Sequence, residues 1–201
     1  FDATLYEGNG QNQRVGDFVP FTDTFTVANS AMFDDGDRRY LARTYTAGDT
    51  ARSSNSQATI SFWIKVGLNS TDQEILSCSN SSQSERLRLY INDQAGQSDI
   101  YLTLDHPSNP NRDFRIPIGY LSETEWVNIV YNIDVDNATA ADKIKAWVNG
   151  VQVTSTVTTY QSASNADYFL FTDKEHFVGN LAPASAGYTG FCFNSYLAEL
   201  N

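Results

Sequence analysis

Apolar and polar residues alternate with a period of two along much of this chain. Five runs show the alternation most clearly: 60–66, 87–91, 100–104, 127–133 and 144–148. Successive side chains of a β-strand point to opposite sides, so each run offers one apolar face to a core. Only two short stretches, 122–125 and 138–143, could form a helical turn. The pattern therefore predicts an all-β fold.

Turn-forming residues separate the runs. The pair Asn149-Gly150, which lies between Val148 and Val151, predicts a two-residue type I′ hairpin in which both central residues have positive φ. Further breaks between strands are predicted at 67–72, 92–98, 105–113 and 134–142. Short strands at such regular intervals are typical of a sandwich. We predict a two-sheet antiparallel β-sandwich of the jelly-roll type.

The chain has 201 residues, which is a suitable length for one domain with one core. Residues 1–27 are expected to form an N-terminal arm or the tail of a preceding segment, and residues 28–201 the sandwich. The run 191–200 is still strand-like where the sequence stops at Asn201. We therefore expect the sandwich to be truncated at its C-terminus.

Charge argues against two classes of partner. Charged residues make up 18% of the chain and the net charge is −11. A nucleic-acid interface needs clustered Lys and Arg, and the sequence shows no such cluster. An anionic membrane surface would repel the chain, and no apolar run approaches the roughly 20 residues of a membrane-spanning helix. We expect neither nucleic-acid binding nor membrane insertion.

Two cysteines, Cys78 and Cys192, lie far apart in the sequence and lack metal-ligand spacing. Two buried thiols in a reduced chain are the favoured interpretation, because free cysteine is among the most buried residue types. A single disulfide bond between them is the alternative.

Four aromatic residues are predicted to face away from the apolar side of their strands: Trp63, Tyr90, Tyr101 and Trp147. Sugars stack on exposed aromatic rings and form hydrogen bonds with neutral amides, which are frequent in the loops of this chain. These four residues are therefore candidates for glycan binding. The alternative is that they fill the rim of the sandwich or an interface, which the size of Trp63 and Trp147 favours.

Three acidic residues gather in one loop: Asp134, Asp136 and Asp142. Calcium takes six to eight oxygen ligands, and acidic loops at strand ends supply them. The EF-hand pattern is absent, and a solvated turn with side-chain to backbone hydrogen bonds is the alternative. Calcium at this loop is a hypothesis.

Several segments resemble those of laminin G-like, concanavalin A-like domains: 58–65 (ATISFWIK), 125–131 (EWVNIVY), 144–151 (IKAWVNGV) and 193–200 (FNSYLAEL). The opening 30–35 (SAMFDD) and 40–44 (YLART) is similar to a concanavalin A-like domain of bacteriophage virion proteins. The resemblance covers residues 28 to 201. It implies a jelly-roll sandwich on a virion, in a tail fibre, a head fibre or a capsid decoration.

Enzymatic activity is not expected. The E-x-D-x-x-E pattern of related glucanases is absent, and Glu123 and Glu125 fall in a turn before Trp126. Neither histidine lies in a catalytic motif.

The leading hypothesis is a non-enzymatic virion surface module with lectin-like binding of a glycan or host surface. A purely structural virion subunit, which contacts other virion proteins and copies of itself, is the first alternative. A polysaccharide-degrading enzyme is the second.

Overall fold

The computed structural model describes residues 30–34, 40–44, 57–67, 72–79, 86–94, 97–106, 109–117, 119, 121, 123–134, 136–154, 175–181 and 191–201. The predicted arm 1–27 lies outside the described residues. The described residues form twelve strands: β1 (Ser30–Met32), β2 (Leu41–Thr44), β3 (Gln57–Lys65), β4 (Gln73–Ser79), β5 (Arg86–Gln94), β6 (Gln97–His106), β7 (Asn109–Ile116), β8 (Val127–Asp134), β9 (Ile144–Val148), β10 (Val151–Val153), β11 (Glu175–Val178) and β12 (Tyr196–Ala198).

The strands form two antiparallel sheets of six strands each. The first sheet has the order β1-β12-β3-β8-β9-β10, and the second has the order β2-β11-β4-β5-β6-β7. Antiparallel pairing connects the neighbours in each sheet. The predicted all-β, two-sheet sandwich is confirmed.

Alternation places one face of each sheet in a shared core. In β3, Ile60, Phe62 and Ile64 are buried, and the residues between them are partly exposed. The strands β5, β8 and β9 repeat this pattern, and β6 also directs its apolar residues to the core although Asp99 and Thr103 on its other face are buried. The apolar rows of the two sheets therefore face each other. The five predicted runs are strands whose polar residues point outward.

The predicted hairpin is also confirmed. Asn149 and Gly150 have φ values of 49° and 79°, and Val148 pairs with Val151 across the turn. The Asn149 side-chain Oδ1 accepts a hydrogen bond from the Asn128 backbone N–H at 2.9 Å. A single 3-10 turn, Ala140–Asp142, lies within one of the two stretches for which a helical turn was considered.

The predicted break at 105–113 is wrong for most of its length. Strand β6 continues to His106, and β7 begins at Asn109. Pro110 lies inside β7, which is the edge strand of the second sheet. Proline lacks a backbone donor, and an edge strand tolerates this because one side of it has no neighbour to receive a hydrogen bond. The break at 92–98 is shorter than predicted, because β5 reaches Gln94 and β6 starts at Gln97.

Strand β4 lacks alternation, and every residue from Gln73 to Cys78 is buried. Its register against β5 shifts between Glu74 and Leu76, so a β-bulge interrupts the period of two. Glu74 and Ser77, which lie opposite Tyr90 and Arg88, are therefore buried on the face that the neighbouring strand β5 leaves partly exposed.

A hydrogen-bond network ties the two sheets together at one end. The Gln73 side-chain Oε1 accepts hydrogen bonds from the Asn194 N–H and the Ser195 hydroxyl, each at 2.9 Å. The Ser195 Oγ accepts one from the Gly67 N–H at 2.8 Å. A Cβ at Gly67 would lie 2.4 Å from the Asn194 carbonyl oxygen, so this close approach requires glycine.

Tyr131 points from β8 into the core and is fully buried. Its ring contacts Phe114 of β7 edge to face, with ring centroids 5.9 Å apart. The hydroxyl has no hydrogen-bond partner among the described residues. Burial raises the pKa of Tyr131 well above its ordinary value, because the charged phenolate would have no solvent around it.

Two substitutions that each delete a buried hydroxyl should have opposite effects on stability. Tyr131→Phe removes a hydroxyl without a partner among the described residues, so we expect no loss, or a gain of about 1 kcal/mol in the free energy of unfolding. For a chain of this size such a gain raises Tm by about 2–4 °C. Ser195→Ala removes both of the Ser195 hydrogen bonds described above and should lower stability by about 1–3 kcal/mol.

Thermal and denaturant unfolding of the wild type and both variants measures these differences. A Tyr131→Phe variant that is less stable than Ser195→Ala would contradict the assignment of hydrogen bonds in this core.

Candidate functional site

The structure divides the four predicted aromatic residues between two surfaces. Tyr90 on β5 and Tyr101 on β6 point outward from the second sheet, because the residues on either side of them are buried. Trp63 on β3 and Trp147 on β9 point outward from the first sheet for the same reason. All four are partly exposed, as predicted. Because the sheets pack face to face, the two pairs lie on opposite sides of the sandwich and cannot contact the same small ligand.

On the second sheet, side chains from four strands lie in one row. In the strand register, Glu74 lies opposite Tyr90, Tyr90 lies opposite Tyr101, and Tyr101 lies opposite Arg115. Arg88, two residues before Tyr90 on the same face of β5, reaches into this row. We call Arg88, Tyr90, Tyr101 and Arg115 the arginine–tyrosine ladder. With neighbouring strands about 4.8 Å apart, the row from β4 to β7 spans roughly 14 Å.

The ladder is a continuous stack. The Tyr90 and Tyr101 rings are nearly parallel, with an interplanar angle of 19° and centroids 5.5 Å apart. The Arg88 Cζ lies 4.1 Å from the Tyr90 centroid, and the Arg115 Cζ lies 5.9 Å from the Tyr101 centroid. Both distances are within the range of a cation–π contact.

The stack changes how the tyrosines could meet a ligand. Arg88 is bound to Glu74 on β4, so it approaches Tyr90 from the side opposite to Tyr101. Both faces of the Tyr90 ring are therefore covered by neighbouring side chains. A sugar can meet the hydroxyl group and the ring edge, but it cannot lie flat on the Tyr90 ring as the sequence interpretation assumed.

Each arginine of the ladder forms an ion pair with a carboxylate. The Glu74 Oε2 accepts hydrogen bonds from Arg88 Nη2 at 2.8 Å and from Arg88 Nε at 3.1 Å. At the other end, Asp99 forms an ion pair with Arg115. Bidentate and charge-assisted pairs of this kind fix the plane of the guanidinium group.

Burial sets the charge of Glu74. Its side chain has no exposed surface, and desolvation raises its pKa from 4.5 to about 7, against the opposing attraction of Arg88. Desolvation also lowers the pKa of Arg88, but the attraction of Glu74 outweighs it and leaves that pKa above its ordinary value. At neutral pH the guanidinium is therefore charged, and the Glu74 carboxyl is divided between its charged and protonated forms.

A second polar group lies beside the ladder. Thr103 on β6 pairs with Arg88 and is 6% exposed. Its hydroxyl has no hydrogen-bond partner among the described residues. A buried polar atom without a partner requires an explanation, and a ligand or a water molecule at the ladder would provide one.

The outer face of the first sheet is different in character. Trp63 lies opposite Asn128 and Trp147 lies opposite Val130, and Lys65 and Lys145 each lie two residues from one of these tryptophans on the same face. At the end of this face is an open groove of about 340 Å³, lined by Gln57, Ala58, Thr59, Asn132, Ile133 and Asp134.

The acidic loop does not assemble into a cation site in the part of the chain that is described. Asp142 Oδ1 forms an ion pair with Lys145 at 2.9 Å, Asp134 Oδ2 accepts a hydrogen bond from Asn137, and Asp136 is exposed. No group of three or more His, Cys, Asp or Glu side chains among the described residues could hold a metal ion. Calcium at this loop stays a prediction.

Both cysteines are buried and neither forms a disulfide bond, which confirms the interpretation of two buried thiols. Across the described ranges, no helix has the length and apolar character needed to cross a membrane.

Sequence reasoning missed the charged half of the candidate site: Glu74, Arg88, Asp99, Thr103 and Arg115. The available signal was the alternation itself, because Arg88 occupies an outward position of the same run as Tyr90. The pairing of β5 with β4 and β6, and of β6 with β7, was needed to bring the others to it.

Comparisons with known proteins agree on the fold. A family model described as the concanavalin A-like lectin/glucanases superfamily matches residues 36–189. Domains LG4-5 of the mouse laminin alpha1 chain superpose with a TM-score of 0.60 at 15% identity, over 91% of this chain and 44% of that chain. No curated protein matches the chain by sequence.

Two further solved structures come from sialidases. The CBM40 of the Ruminococcus gnavus IT-sialidase, bound to alpha2,3 sialyllactose, has a TM-score of 0.54 at 14% identity, over 87% of this chain and 92% of that chain. The NanB sialidase from Streptococcus pneumoniae has a TM-score of 0.55 at 16% identity, over 86% of this chain and 25% of that chain. At these identities the likeness shows the fold alone.

The raised pKa of Glu74 predicts a specific dependence of stability on pH. An acid with a higher pKa in the folded state binds its proton more tightly when folded, so its contribution is complete below pH 4.5 and is lost as pH rises through about 7. Glu74→Gln cannot titrate. The free energy of unfolding of the wild type should therefore fall relative to that of Glu74→Gln across this interval, by at most about 3 kcal/mol.

Chemical denaturation at several pH values measures this difference. Glu123→Gln, which removes an exposed carboxylate, is the matched control and should run parallel to the wild type. A wild type that gains stability relative to Glu74→Gln as pH rises would show that Arg88 outweighs desolvation.

Proposed function

Because this chain belongs to the concanavalin A-like lectin/glucanases superfamily, we propose that it is a non-catalytic carbohydrate-binding module whose binding site is the arginine–tyrosine ladder. The ladder faces outward from the second sheet, and the first sheet packs against the other side. The binding surface is therefore built on strands and not on loops.

The observation that carries this proposal is the fixed orientation of the ladder. Glu74 holds Arg88, Asp99 holds Arg115, and the two tyrosine rings stack between them. Binding sites for small polar ligands use a few precisely placed polar groups in a mostly preformed surface. Donors that are already ordered lose less entropy when a sugar binds, so each hydrogen bond contributes more affinity.

Similar structures support this choice of ligand class. The CBM40 of the R. gnavus sialidase has this fold and was solved with alpha2,3 sialyllactose bound. The chain spans nearly the whole of that module, but only a quarter of the NanB sialidase chain and under half of the laminin chain. Its likeness to the sialidase therefore concerns a part of that enzyme.

The state of the carboxylates near the ladder supports a binding role over hydrolysis. Glycoside hydrolases need two carboxyl groups on either side of the scissile bond, about 5–10 Å apart, with one acid and one base or nucleophile. Glu74 and Asp99 each form an ion pair with an arginine, which occupies the carboxylate oxygens that a general acid, base or nucleophile would need. Glu123 and Glu125 lie exposed outside the strands.

The outer face of the first sheet is the second candidate surface. Trp63 and Trp147 are partly exposed there, and Asn128 and Asn132 lie on the same face. The rings of tryptophan offer the flat stacking surface that Tyr90 lacks. Ligand binding by this face, or use of it as a contact between subunits, would leave the ladder without a role.

We also infer a bacteriophage virion as the setting of this module, with glycans of the host surface as its ligands. This inference rests on the sequence resemblance of 30–44 and 193–200 to virion proteins. Other virion proteins and second copies of this chain are the expected partners. Immunogold labelling of particles with an antibody against the chain tests the location, and analytical ultracentrifugation tests self-association.

A glycan array probed with the purified chain tests the proposed site. Tyr101→Phe keeps the ring and deletes one hydroxyl of the ladder, so we expect binding to weaken about two- to tenfold. Tyr101→Ala also removes the stack and should weaken binding further. Trp147→Ala lies on the opposite face and is the matched control, with unchanged binding expected.

Two outcomes would refute this site. If Trp147→Ala abolishes binding and Tyr101→Ala does not, the first sheet carries the site. If the wild type binds no glycan on the array, the structural-subunit alternative replaces the proposed function.

A further inference from the structure

Both positive charges of the ladder already have a partner within the chain. The charged form of Glu74 neutralises Arg88, and Asp99 neutralises Arg115. The chain as a whole carries a net charge of −11. An anionic sugar that approached the ladder in this state would meet two carboxylates and no excess of positive charge. Its affinity would be low unless one of these carboxylates first lost its charge.

We propose that a carboxylate-bearing sugar binds the ladder together with one proton, which Glu74 takes up. The carboxylate of the sugar then replaces Glu74 as the counter-ion of Arg88. This inference rests on the proposed function and specifies its ligand class. The step is balanced in charge, because the proton from solvent neutralises Glu74 and the ligand supplies the negative charge that Glu74 gives up.

The position of Glu74 suits it to this exchange. The carboxyl is fully buried, so its charged form depends on Arg88 alone for most of its stabilisation. Arg88 is less deeply placed, with 11% of its side chain exposed. The Arg88 Cζ also lies 4.1 Å from the Tyr90 centroid and 5.4 Å from the Phe191 centroid. A ligand can therefore approach Arg88 only at the small exposed part of its side chain, whereas Glu74 contacts the guanidinium from within the protein.

The surrounding charges allow protonation near neutral pH. Glu74 is faced by Arg86, Arg88 and Tyr90 of β5 and by Asp72 of its own segment. Asp72 disfavours the charged form, the two arginines favour it, and desolvation outweighs them, which places the pKa of Glu74 at about 7. Strand β6 contributes Asp99 and Tyr101 to the same face, and β7 contributes Arg115. On the other side of β4, strand β11 places His176 opposite Cys78.

Binding that requires protonated Glu74 follows the protonated fraction. With a pKa of about 7, this fraction falls about tenfold between pH 6 and pH 8. The affinity for an acidic sugar should therefore be about tenfold higher at pH 6 than at pH 8. A neutral sugar, which does not compete with Glu74 for Arg88, should show no such change.

The test is a glycan array that carries sialylated and uronic-acid glycans beside their neutral counterparts, probed at pH 6 and pH 8. The wild type should bind acidic glycans about tenfold more tightly at pH 6. Glu74→Gln, which resembles the protonated form, should lose this dependence and bind acidic glycans at pH 8 as tightly as the wild type does at pH 6. Glu123→Gln is the control and should behave as the wild type.

The outcomes separate the two proposals. Acidic-glycan binding that is independent of pH, or binding of neutral glycans only, overturns the proton-coupled exchange and leaves the carbohydrate-binding function standing. Wild-type chain that binds no glycan at either pH overturns the function, and this inference with it. Circular dichroism of Glu74→Gln at both pH values checks that the variant is folded. Isothermal titration calorimetry in two buffers of different ionisation enthalpy counts the protons that the wild type takes up on binding.

Discussion

The burial of one face from each of two sheets is the constraint on which the rest of this structure depends. Each regularly alternating strand that contributes Ile, Leu, Val or Phe to the core must direct its intervening residues outward. Outward residues on neighbouring strands are then placed side by side by the strand register. Tyr90 and Tyr101 stack because β5 and β6 pair in a register that serves the core, in which Leu89 lies opposite Leu102. The ladder is thus a consequence of packing on the other side of the same sheet.

The sequence was sufficient to predict the parts of the fold in which local pattern and packing agree. Strands β3, β8 and β9 alternate cleanly, and Asn149-Gly150 has the conformation that its residue types favour. Prediction failed where another influence dominates. In β4 a bulge breaks the period and both faces are buried, so the pattern is absent. In β7 a proline signals a break, but the edge position makes it harmless.

The candidate site was predicted only in its aromatic half, for a related reason. Outward orientation of Tyr90, Tyr101, Trp63 and Trp147 follows from alternation within each strand, which is local information. Their separation into two surfaces depends on which sheet each strand joins. The ion pair of Arg88 with Glu74 depends on the β4–β5 register. The burial of Glu74 depends further on the segment that begins at Phe191. The Phe191 carbonyl oxygen accepts a hydrogen bond from the Glu74 N–H at 3.2 Å. No local pattern contains these relations.

A fully buried glutamate is an unusual way to orient an arginine. Taking a carboxylate out of water costs several kcal/mol, and replacing a buried ion pair with apolar residues of similar volume is often neutral or stabilising. Stability alone therefore gives little reason for Glu74 and Arg88 on this surface. An exposed carboxylate would also hold the guanidinium, but it would remain charged at neutral pH. Burial is what places the protonation of Glu74 within the physiological range. The desolvation of Glu74 is therefore better explained by exchange of counter-ions at Arg88 than by the stability of the sheet.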